Sequence, residues 1–296
     1  MNASGPSIQI YGAGRIGLAV GGLARRRGVP VTGIWNPRPL RPARARLAEG
    51  LPLTVAADPE PVPADVWLVA VPDDAIAATG ERLALAARGS GDRPGCAAHC
   101  AGAHPAQLLA ALAGGGIPCG SWHPAMTFRG APDDPDALAR AVVAVEGDPA
   151  AVALLERLSD ALGVARIAVA TGRKADYHAA LVLAANGRVA LDAAAARLLR
   201  EAGLDEATAR RVLGPLVERV EENLRAAFPE EALTGPVARG DAGTVRRQLA
   251  ALADRPDLLR LYRAMGAVIL AAVPEPVRQA GHREVMRLMR EDEINC

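Results

Sequence analysis

Four polar clusters interrupt an otherwise Ala-, Leu- and Val-rich chain, and they carry the residues best suited to chemistry. They are HCAGAH from His99, SWHP from Ser121, RKADYH from Arg173 and LTGPVARGD from Leu233. Within RKADYH, Lys174 and His178 are spaced i, i+4 and share a helix face, with Tyr177 beside them. Lysine can protonate or orient a carbonyl oxygen, and histidine exchanges a proton near neutral pH. We therefore predict His123, Lys174 and His178 as the catalytic residues.

Other polar residues of these clusters suit substrate binding. Asn186 lies two turns beyond His178, about 80° away at about 100° per residue. Arg239 is predicted to clamp a substrate carboxylate, because a guanidinium forms charge-assisted hydrogen bonds. The predicted substrate contacts are His99, Tyr177, Asn186, Thr234 and Arg239. The structural alternatives are a core histidine at His178, a solvated helix start at Lys174, a plain helix contact at Asn186, and a turn with an N-cap at Asp241.

The element that must position these residues is a β-α-β unit at the start of the chain. Residues 7–11 are predicted to form a buried strand, residues 18–27 a helix ended by Gly28, and residues 30–35 a second strand. Between the first strand and the helix, G-x-G-x-x-G spacing predicts a dinucleotide site, with the pyrophosphate at the helix N-terminus. The predicted contacts at this turn are Gly12, Gly14, Arg15, Ile16 and Gly17.

The end of the second strand predicts which dinucleotide binds. NAD sites place Asp or Glu there, whereas this chain has Asn36, followed by Arg38 and Arg41. Two guanidiniums and no carboxylate suit a 2′-phosphate, so we predict NADP (NADPH) as the cofactor. The alternative is that both arginines are solvated loop residues.

A third strand, residues 65–71, is also predicted to border the cofactor. Ligands of open α/β sheets bind beyond the carboxyl ends of the strands, which here places Val71, Pro72 and Asp73 at the site. An N-cap role for Asp73 or Asp74 on the following helix is equally compatible.

The alternation of strands and helices continues to residue 170 and then stops. Further strands are predicted at residues 95–100, from residue 117, and at residues 140–145 and 165–170, so we predict an α/β Rossmann domain with a mostly parallel sheet over residues 1–170. Residues 171–296 are predicted to form an all-α substrate and dimerisation domain, with helices at 173–202, 205–227, 242–253, 256–272 and 276–290. Residues 179–196 are apolar on nearly every side, which predicts burial in this domain or in a homodimer.

Composition excludes several other classes of protein. The 296 residues favour two domains, and a net charge of +1 with 3% aromatic residues disfavours nucleic-acid binding. The N-terminus has no signal-peptide pattern and no apolar run approaches about 20 residues, so we expect a cytoplasmic protein without a membrane span. The cysteines and histidines around Cys96 and Cys100 match no zinc spacing, and the fourth cysteine is Cys296. We therefore expect no metal site.

Six motifs along the chain resemble those of one protein family. They are IYGAGRIG, VAVPDDAI, HCAGA, WHPAMTF, ADYHAALVLAAN and LTGPVARGDAGTV. In this order they are similar to NADP-binding Rossmann proteins with a C-terminal domain of unknown function, DUF2520. The wider superfamily resembles β-hydroxyacid dehydrogenases, pyrroline-5-carboxylate reductases and prephenate dehydrogenases, with a helical domain like that of 6-phosphogluconate dehydrogenase. The resemblance implies a Rossmann domain, a helical and often dimer-forming domain, and hydride transfer.

The family's functional residues carry over in part. SWHP looks similar to the segment of prephenate dehydrogenases that holds a catalytic histidine, which makes His123 the first catalytic candidate. The family commonly has a serine where this chain has Ala101, so a hydroxyl-assisted mechanism does not carry over. β-Hydroxyacid dehydrogenases use a Lys and an Asn one turn apart, whereas here Lys174 is followed at i+4 by His178.

Two functions remain open at this stage. The first is an NADP(H)-dependent oxidoreductase that acts on a small, carboxylate-bearing carbonyl, imine or alcohol at the cleft between the domains. The second is a catalytically silent NADP-binding or sensor protein that retains the dehydrogenase fold. The density of His, Lys, Tyr and Arg in the motifs favours the enzyme, whereas Ala101 and the incomplete Lys–Asn pattern favour the silent protein.

Overall fold

The structure is a computed structural model that describes residues 5–275 and 278–290. The chain divides into two compact units, Met1–Gly187 and Arg188–Cys296. Residues 171–187 therefore pack with the first unit, and the functional boundary between residues 170 and 171 stays a prediction.

The first unit is built on one eight-stranded sheet in the order β3-β2-β1-β4-β5-β6-β7-β8. The strands are β1 Ile8–Tyr11, β2 Val31–Asn36, β3 Leu53–Val55, β4 Val66–Val69, β5 Cys96–His99, β6 Cys119–Ala125, β7 Val142–Gly147 and β8 Ala165–Ala168. All neighbours pair in parallel except β6 and β7. The mostly parallel Rossmann sheet is thereby confirmed. The three-residue β3 was not predicted, because it is too short to show a pattern.

Helices cover this sheet. They are α1 Arg15–Arg27, α2 Pro42–Leu47, α3 Asp73–Ser90, a 3₁₀ turn Ala106–Leu109, α4 Ala110–Ala113, α5 Asp134–Ala139, α6 Pro149–Leu162 and α7 Lys174–Val182, which continues as a π-helical turn, Leu183–Gly187. Gly28 ends α1 in the left-handed conformation, as the sequence predicted.

Apolar side chains pack on both faces of the sheet. Successive residues of a strand point to opposite faces, so Ile10 lies in one buried cluster and Tyr11 in the other. All four residues of β4 are fully buried, which is typical of a central parallel strand.

Buried aromatic side chains hold the Pro-rich loop that precedes β4. The Tyr11 hydroxyl donates to the carbonyl oxygen of Glu60 at 3.0 Å, and the indole N–H groups of Trp35 and Trp67 donate to loop carbonyls at 2.9 and 2.8 Å. The third indole, that of Trp122 on β6, donates to the Ser159 hydroxyl of α6 at 2.9 Å. These bonds satisfy polar atoms that burial would otherwise leave unpaired.

The second unit is helical throughout its described residues. Its helices are α8 Arg188–Glu201, α9 Glu206–Ala226, α10 Pro229–Ala232, α11 Gly235–Ala238, α12 Ala242–Ala251, α13 Pro256–Ala272 and α14 Ala280–Arg290. Asp205 caps α9 and Asp241 caps α12, each carboxylate accepting a hydrogen bond from a backbone N–H group; for Asp241 this is the structural alternative given above. The predicted start of the last helix at residue 276, like Cys296, lies outside the described residues.

The long apolar helix is exposed within a single chain. The sequence has no uninterrupted apolar run of about 20 residues. The helix Lys174–Glu201 is nevertheless long and apolar enough to cross a membrane by length and composition alone, and none of its most apolar stretch is buried. Leu183 is 75% exposed and Val189 is 69% exposed. The expectation that residues 179–196 are buried inside the helical domain is therefore wrong, because α9 packs against α8 but leaves most of these residues exposed. Their burial in a homodimer stays a prediction.

Candidate functional site

The predicted site residues of the first unit gather at one edge of the sheet. Strands β1, β4, β5 and β6 are parallel, so their carboxyl ends lie at the same edge. The Gly12 turn follows β1, Val71 and Asp73 follow β4, Gly102 follows β5, and His123 lies near the end of β6. Open α/β sheets bind their ligands at this edge.

The three glycines of the first turn have different roles. Gly12 has a φ of 120°, and an added Cβ would lie 2.6 Å from the carbonyl oxygen of Ala70. An added Cβ on Gly17 would collide with the carbonyl oxygen of Gly12. At Gly14 an added Cβ would have one neighbour within 4 Å among the described residues, the Ala70 oxygen, at the ordinary contact distance of 3.6 Å. Packing therefore requires Gly12 and Gly17, whereas Gly14 leaves open space of the kind that a pyrophosphate needs.

The start of α1 can receive that anion. Gly14 is the N-cap and supplies no side-chain acceptor, so the amides of Arg15, Ile16 and Gly17 have neither a side-chain cap nor an acceptor within the helix. Such amides favour a phosphate. This turn fits the pyrophosphate of a dinucleotide.

Asn36 holds the turn in place through both ends of its side-chain amide. Its Oδ1 accepts a hydrogen bond from the Ala13 amide at 3.1 Å, and its Nδ2 donates to the carbonyl oxygen of Arg38 at 2.5 Å. Asn36 therefore links the glycine turn to the segment that carries Arg38 and Arg41, whose side chains are exposed. Its amide is already used by the protein, so any contact with a 2′-phosphate would come from the arginines.

The turn after β4 is accessible. Val71 is half-buried, and Pro72 and Asp73 are exposed. Helix α3 begins at Asp73 with Pro72 as its N-cap and without a side-chain cap. The N-cap alternative for Asp73 or Asp74 is therefore wrong, and both carboxylates lie in the first helical turn.

His123, Tyr177 and His178 form one cluster. Nδ1 of His123 lies 3.2 Å from the Tyr177 hydroxyl, and the rings of His123 and His178 are 5.5 Å apart between centroids. Gly102 makes this approach possible, because an added Cβ would lie 2.8 Å from Nε2 of His123 and would collide with His178. Gly102 was not predicted as a site residue, since a glycine in a loop has no distinctive pattern.

Lys174 is buried beneath this cluster. Its side chain is 2% exposed, and Nζ donates to the Ser121 hydroxyl at 2.6 Å. The alternative that Lys174 is a solvated residue at the start of a helix is therefore wrong. Its ammonium group faces the protein interior. Burial lowers the pKa of Lys174, while the negative charge of Glu146 opposes the shift.

Composition gives a signal for Lys174 that motif reasoning missed. Lys174 is the only lysine among the 34 basic residues of the chain, and all the others are arginines. An ammonium is compact and can shift its pKa, whereas a guanidinium is planar and stays charged. A buried site beside a single hydroxyl therefore suits an ammonium better than a guanidinium. Ser121 was missed too, although it precedes His123 by two positions and so lies on the same strand face.

His123 is neutral at physiological pH. Its side chain is 9% exposed, and burial, together with the nearby charge of Lys174, lowers its pKa to about 4. A neutral imidazole has one N–H and one acceptor nitrogen, and the bond to Tyr177 decides which nitrogen carries the proton.

His99 has a structural role instead of the predicted substrate contact. Its ring is fully buried, Nε2 lies 3.0 Å from the Pro105 carbonyl oxygen, and Nδ1 accepts from the Ala101 amide at 3.1 Å. Burial lowers its pKa to about 4. Both ring nitrogens bind the backbone, so neither is free for a substrate.

Asn186 lines the same cavity as His123 and His178. This cavity, of about 340 Å³, lies within the first unit.

Thr234 and Arg239 belong to the second unit, where both are exposed. Across residues 5–275 and 278–290 no group of His, Cys, Asp and Glu side chains is arranged to hold a metal ion.

Comparison with known families identifies part of the chain. Residues 141–269 match a family model described as a domain of unknown function, DUF2520, which confirms the resemblance stated from the motifs. The match begins in the sheet, just before β7, and ends in α13. No curated protein matches the chain.

Solved structures of related fold cover at least 90% of this chain. A Bacteroides fragilis protein, a proposed NADP oxidoreductase, has a TM-score of 0.72 at 22% identity, covering 90% of this chain and 98% of its own. Plasmodium falciparum pyrroline carboxylate reductase with NADP bound has a TM-score of 0.59 at 9% identity, covering 95% and 99%. Aspergillus terreus reductive aminase in complex with NADPH and ethyl levulinate has a TM-score of 0.59 at 16% identity, covering 98% and 99%. These likenesses confirm the fold, a Rossmann domain followed by a helical region.

The charge of Lys174 should govern the protonation of His123. We expect Lys174→Met to raise the His123 pKa above about 4, toward the ordinary value of 6.5, because a repelling positive charge is removed. NMR titration of the histidine ring protons measures this pKa. The matched control is Arg173→Met, which removes the same charge from an exposed neighbour that pairs with Asp176. An unchanged His123 pKa in Lys174→Met, or an equal rise in the control, would contradict the assignment.

Proposed function

We propose that this protein is an NADP(H)-dependent oxidoreductase that acts on a small, carboxylate-bearing carbonyl, imine or alcohol. One observation carries the proposal. The neutral His123 contacts the Tyr177 hydroxyl, and Lys174, the only lysine of the sequence, is buried nearby on Ser121. This cluster lies at the same edge of the sheet as the glycine turn of dinucleotide-binding type. A nucleotide-binding protein without catalysis has no need of such a cluster at that edge.

The chain's residues divide into those that hold the cofactor and those that move a proton. The turn at Gly14 and the amides at the start of α1 would hold the pyrophosphate, Arg38 and Arg41 the 2′-phosphate, and residues 71–73 would border the remainder. When bound, NADPH supplies the hydride that reduces a carbonyl or imine carbon.

His123 would exchange the proton that accompanies this hydride. If the Tyr177 hydroxyl donates to Nδ1, the proton of His123 lies on Nε2, the nitrogen that approaches Gly102. In the reduction, Nε2–H would transfer its proton to the substrate oxygen or nitrogen as negative charge develops there, while Nδ1 takes the proton of the Tyr177 hydroxyl, which solvent then replaces at the half-buried Tyr177. In the oxidation direction the same transfers would run in reverse. Lys174 would position this system through Ser121 and would keep His123 neutral. His178, beside His123, would orient the substrate together with Tyr177.

The alternative is a catalytically silent NADP-binding or sensor protein. Ala101, which replaces the serine common in the family, and the enclosed position of Lys174 favour it. Substitution of His123 separates the two functions.

Turnover should depend on His123 and cofactor affinity should not. In a screen of NADPH oxidation against keto acids and cyclic imines, we expect at least one substrate for the wild type. His123→Gln should lower turnover by a factor of about 10² to 10⁴. NADPH affinity should be nearly unchanged, because the glycine turn is a separate part of the site. The exposed His104→Gln is the control. Full activity of His123→Gln would refute the catalytic assignment, and no turnover with any substrate would favour the silent protein.

The cofactor should be NADPH rather than NADH. We expect tighter binding of NADPH in fluorescence titrations, and a loss of roughly tenfold or more in Arg38→Ala, since a charge-assisted hydrogen bond contributes about 1.5–3 kcal/mol. NADH affinity should not change in this variant. Arg88→Ala, in the last turn of α3, controls for the loss of one arginine. Equal affinities of the wild type for the two nucleotides would refute the 2′-phosphate assignment.

We also propose a cytoplasmic homodimer formed through the helical unit, without a nucleic-acid or membrane partner. Support comes from the exposed helix Lys174–Glu201 and from a stripe on α9 whose large apolar side chains are 44–60% exposed. These are Val212, Leu216, Val220 and Leu224. Their i, i+4 spacing places them on one face, and such a face is stable in water when another apolar surface covers it.

Light scattering should give about twice the chain mass of 30.6 kDa at micromolar concentration. Leu216→Asp with Val220→Asp should yield the monomer, because two carboxylates would be buried without partners. Arg219→Ser, an exposed position on the same helix, should leave the dimer intact. A monomeric wild type would refute the assembly.

A further inference from the structure

Among the described residues, no Asp, Glu, Lys or Arg lines the cavity beside His123. Ten residues line it, and six of them are apolar, including Met126, Leu181 and Val182. The four polar residues are His123, Thr127, His178 and Asn186. A cavity with this lining recognises the shape of a ligand and its neutral hydrogen-bonding groups. It offers no Lys or Arg side chain to pair with a second carboxylate of the ligand.

The π-helical turn brings Asn186 to this cavity. In a regular α-helix Asn186 would lie about 80° around the axis from His178. The turn Leu183–Gly187 follows the wider π-helix, which has roughly 4.4 residues per turn and therefore advances each residue by only about 80°. Four α-helical steps and four π-helical steps bring Asn186 to within about 10° of His178. Both side chains accordingly line one cavity, and π-helical turns occur frequently at functional sites.

The polar groups of the cavity are available to a ligand. Within the described protein, the side chains of Thr127, His178 and Asn186 make no hydrogen bond to another residue, and Asn186 is exposed. By contrast, the Lys174 ammonium is 2% exposed and donates to Ser121. The nearest buried cation is thus committed to the protein interior and does not line the cavity.

We infer that this cavity holds an uncharged, largely aliphatic part of the substrate, hydrogen-bonded through the Asn186 amide, and excludes a second carboxylate. The inference rests on the proposed function, because it takes the cavity at His123 as the substrate site. Its volume of about 340 Å³ suits a small aliphatic group. The substrate class is therefore a monocarboxylate whose reacting carbonyl, imine or alcohol carries an aliphatic, neutral substituent, rather than a dicarboxylate.

Two ligands that differ only at one end test the inference without turnover. Hexanedioate and its monoamide each offer one carboxylate, and the other end is a carboxylate in the first and a neutral amide in the second. Each is titrated at pH 8 into the full chain, with and without NADPH, while ring-proton NMR signals of the five histidines are recorded. His123→Gln and His178→Gln assign the two signals of interest. We expect the monoamide to shift both signals with an affinity at least about tenfold higher than that of hexanedioate.

A charge placed at Asn186 should reverse this preference. In Asn186→Lys, hexanedioate should bind more tightly than the monoamide, because the new ammonium pairs with the second carboxylate. Ala180→Lys is the matched control, since it adds the same charge at an exposed position of α7 that does not line the cavity. It should keep the wild-type preference.

The outcomes separate this inference from the proposed function. Wild-type protein that binds hexanedioate as tightly as the monoamide overturns the inference, as does a failure of both ligands to shift the His123 and His178 signals. An unchanged preference in Asn186→Lys overturns the role of Asn186. If the monoamide preference holds but no substrate consumes NADPH, the proposed oxidoreductase fails while the neutral cavity stands.

Discussion

Burial of one ammonium group is the constraint on which the candidate site depends. Lys174 begins α7, and its bond to Ser121 ties the first turn of that helix to β6. Tyr177 and His178 follow Lys174 on the same helix. The separation of the start of α7 from β6 therefore determines how closely both side chains approach His123. A buried cation is stable only when the surrounding groups compensate for lost hydration, and here one hydroxyl and the field of Glu146 do so. The position of the helix and the electrostatics of the histidine are therefore fixed by the same contact.

Close packing at Gly102 completes the arrangement. The two imidazoles approach the backbone so closely that any side chain at position 102 would displace them. The site thus combines the buried charge of Lys174 with the backbone at Gly102, which contacts the His123 ring on another side. Both features restrict the positions that the imidazole can adopt, and a proton donor or acceptor that is already in place needs little reorganisation when a ligand binds.

Local patterns predicted most of the sheet, because buried parallel strands and glycine turns have short-range signatures. Gly28, Asp205 and Asp241 end or begin helices where their types require. The burial of Lys174 could not be predicted in that way, since its neighbours Arg173 and Asp176 are exposed and typical of a helix start. It follows from contacts with β6, more than 50 positions earlier in the chain.

The helix that follows shows two further limits of such reasoning. A π-helical turn has no residue pattern of its own, so a constant 100° rotation placed Asn186 on the wrong face. The apolar pattern of residues 179–196 predicted burial, which a single chain does not provide, and the pattern does not specify which surface would cover the helix. The pattern of apolar residues indicates which helix faces avoid water. It does not indicate whether the same chain or a second copy of the chain covers those faces.

The hydrogen-bonded indoles have a practical consequence for spectroscopy of this protein. All three tryptophans, Trp35, Trp67 and Trp122, lie buried in the first unit, and the second unit has none. Tryptophan emission therefore reports unfolding of the first unit alone, while far-ultraviolet dichroism is weighted by the helices of both units. Fluorescence and dichroism melting curves need not coincide, and a single fitted midpoint would describe one unit rather than the whole chain.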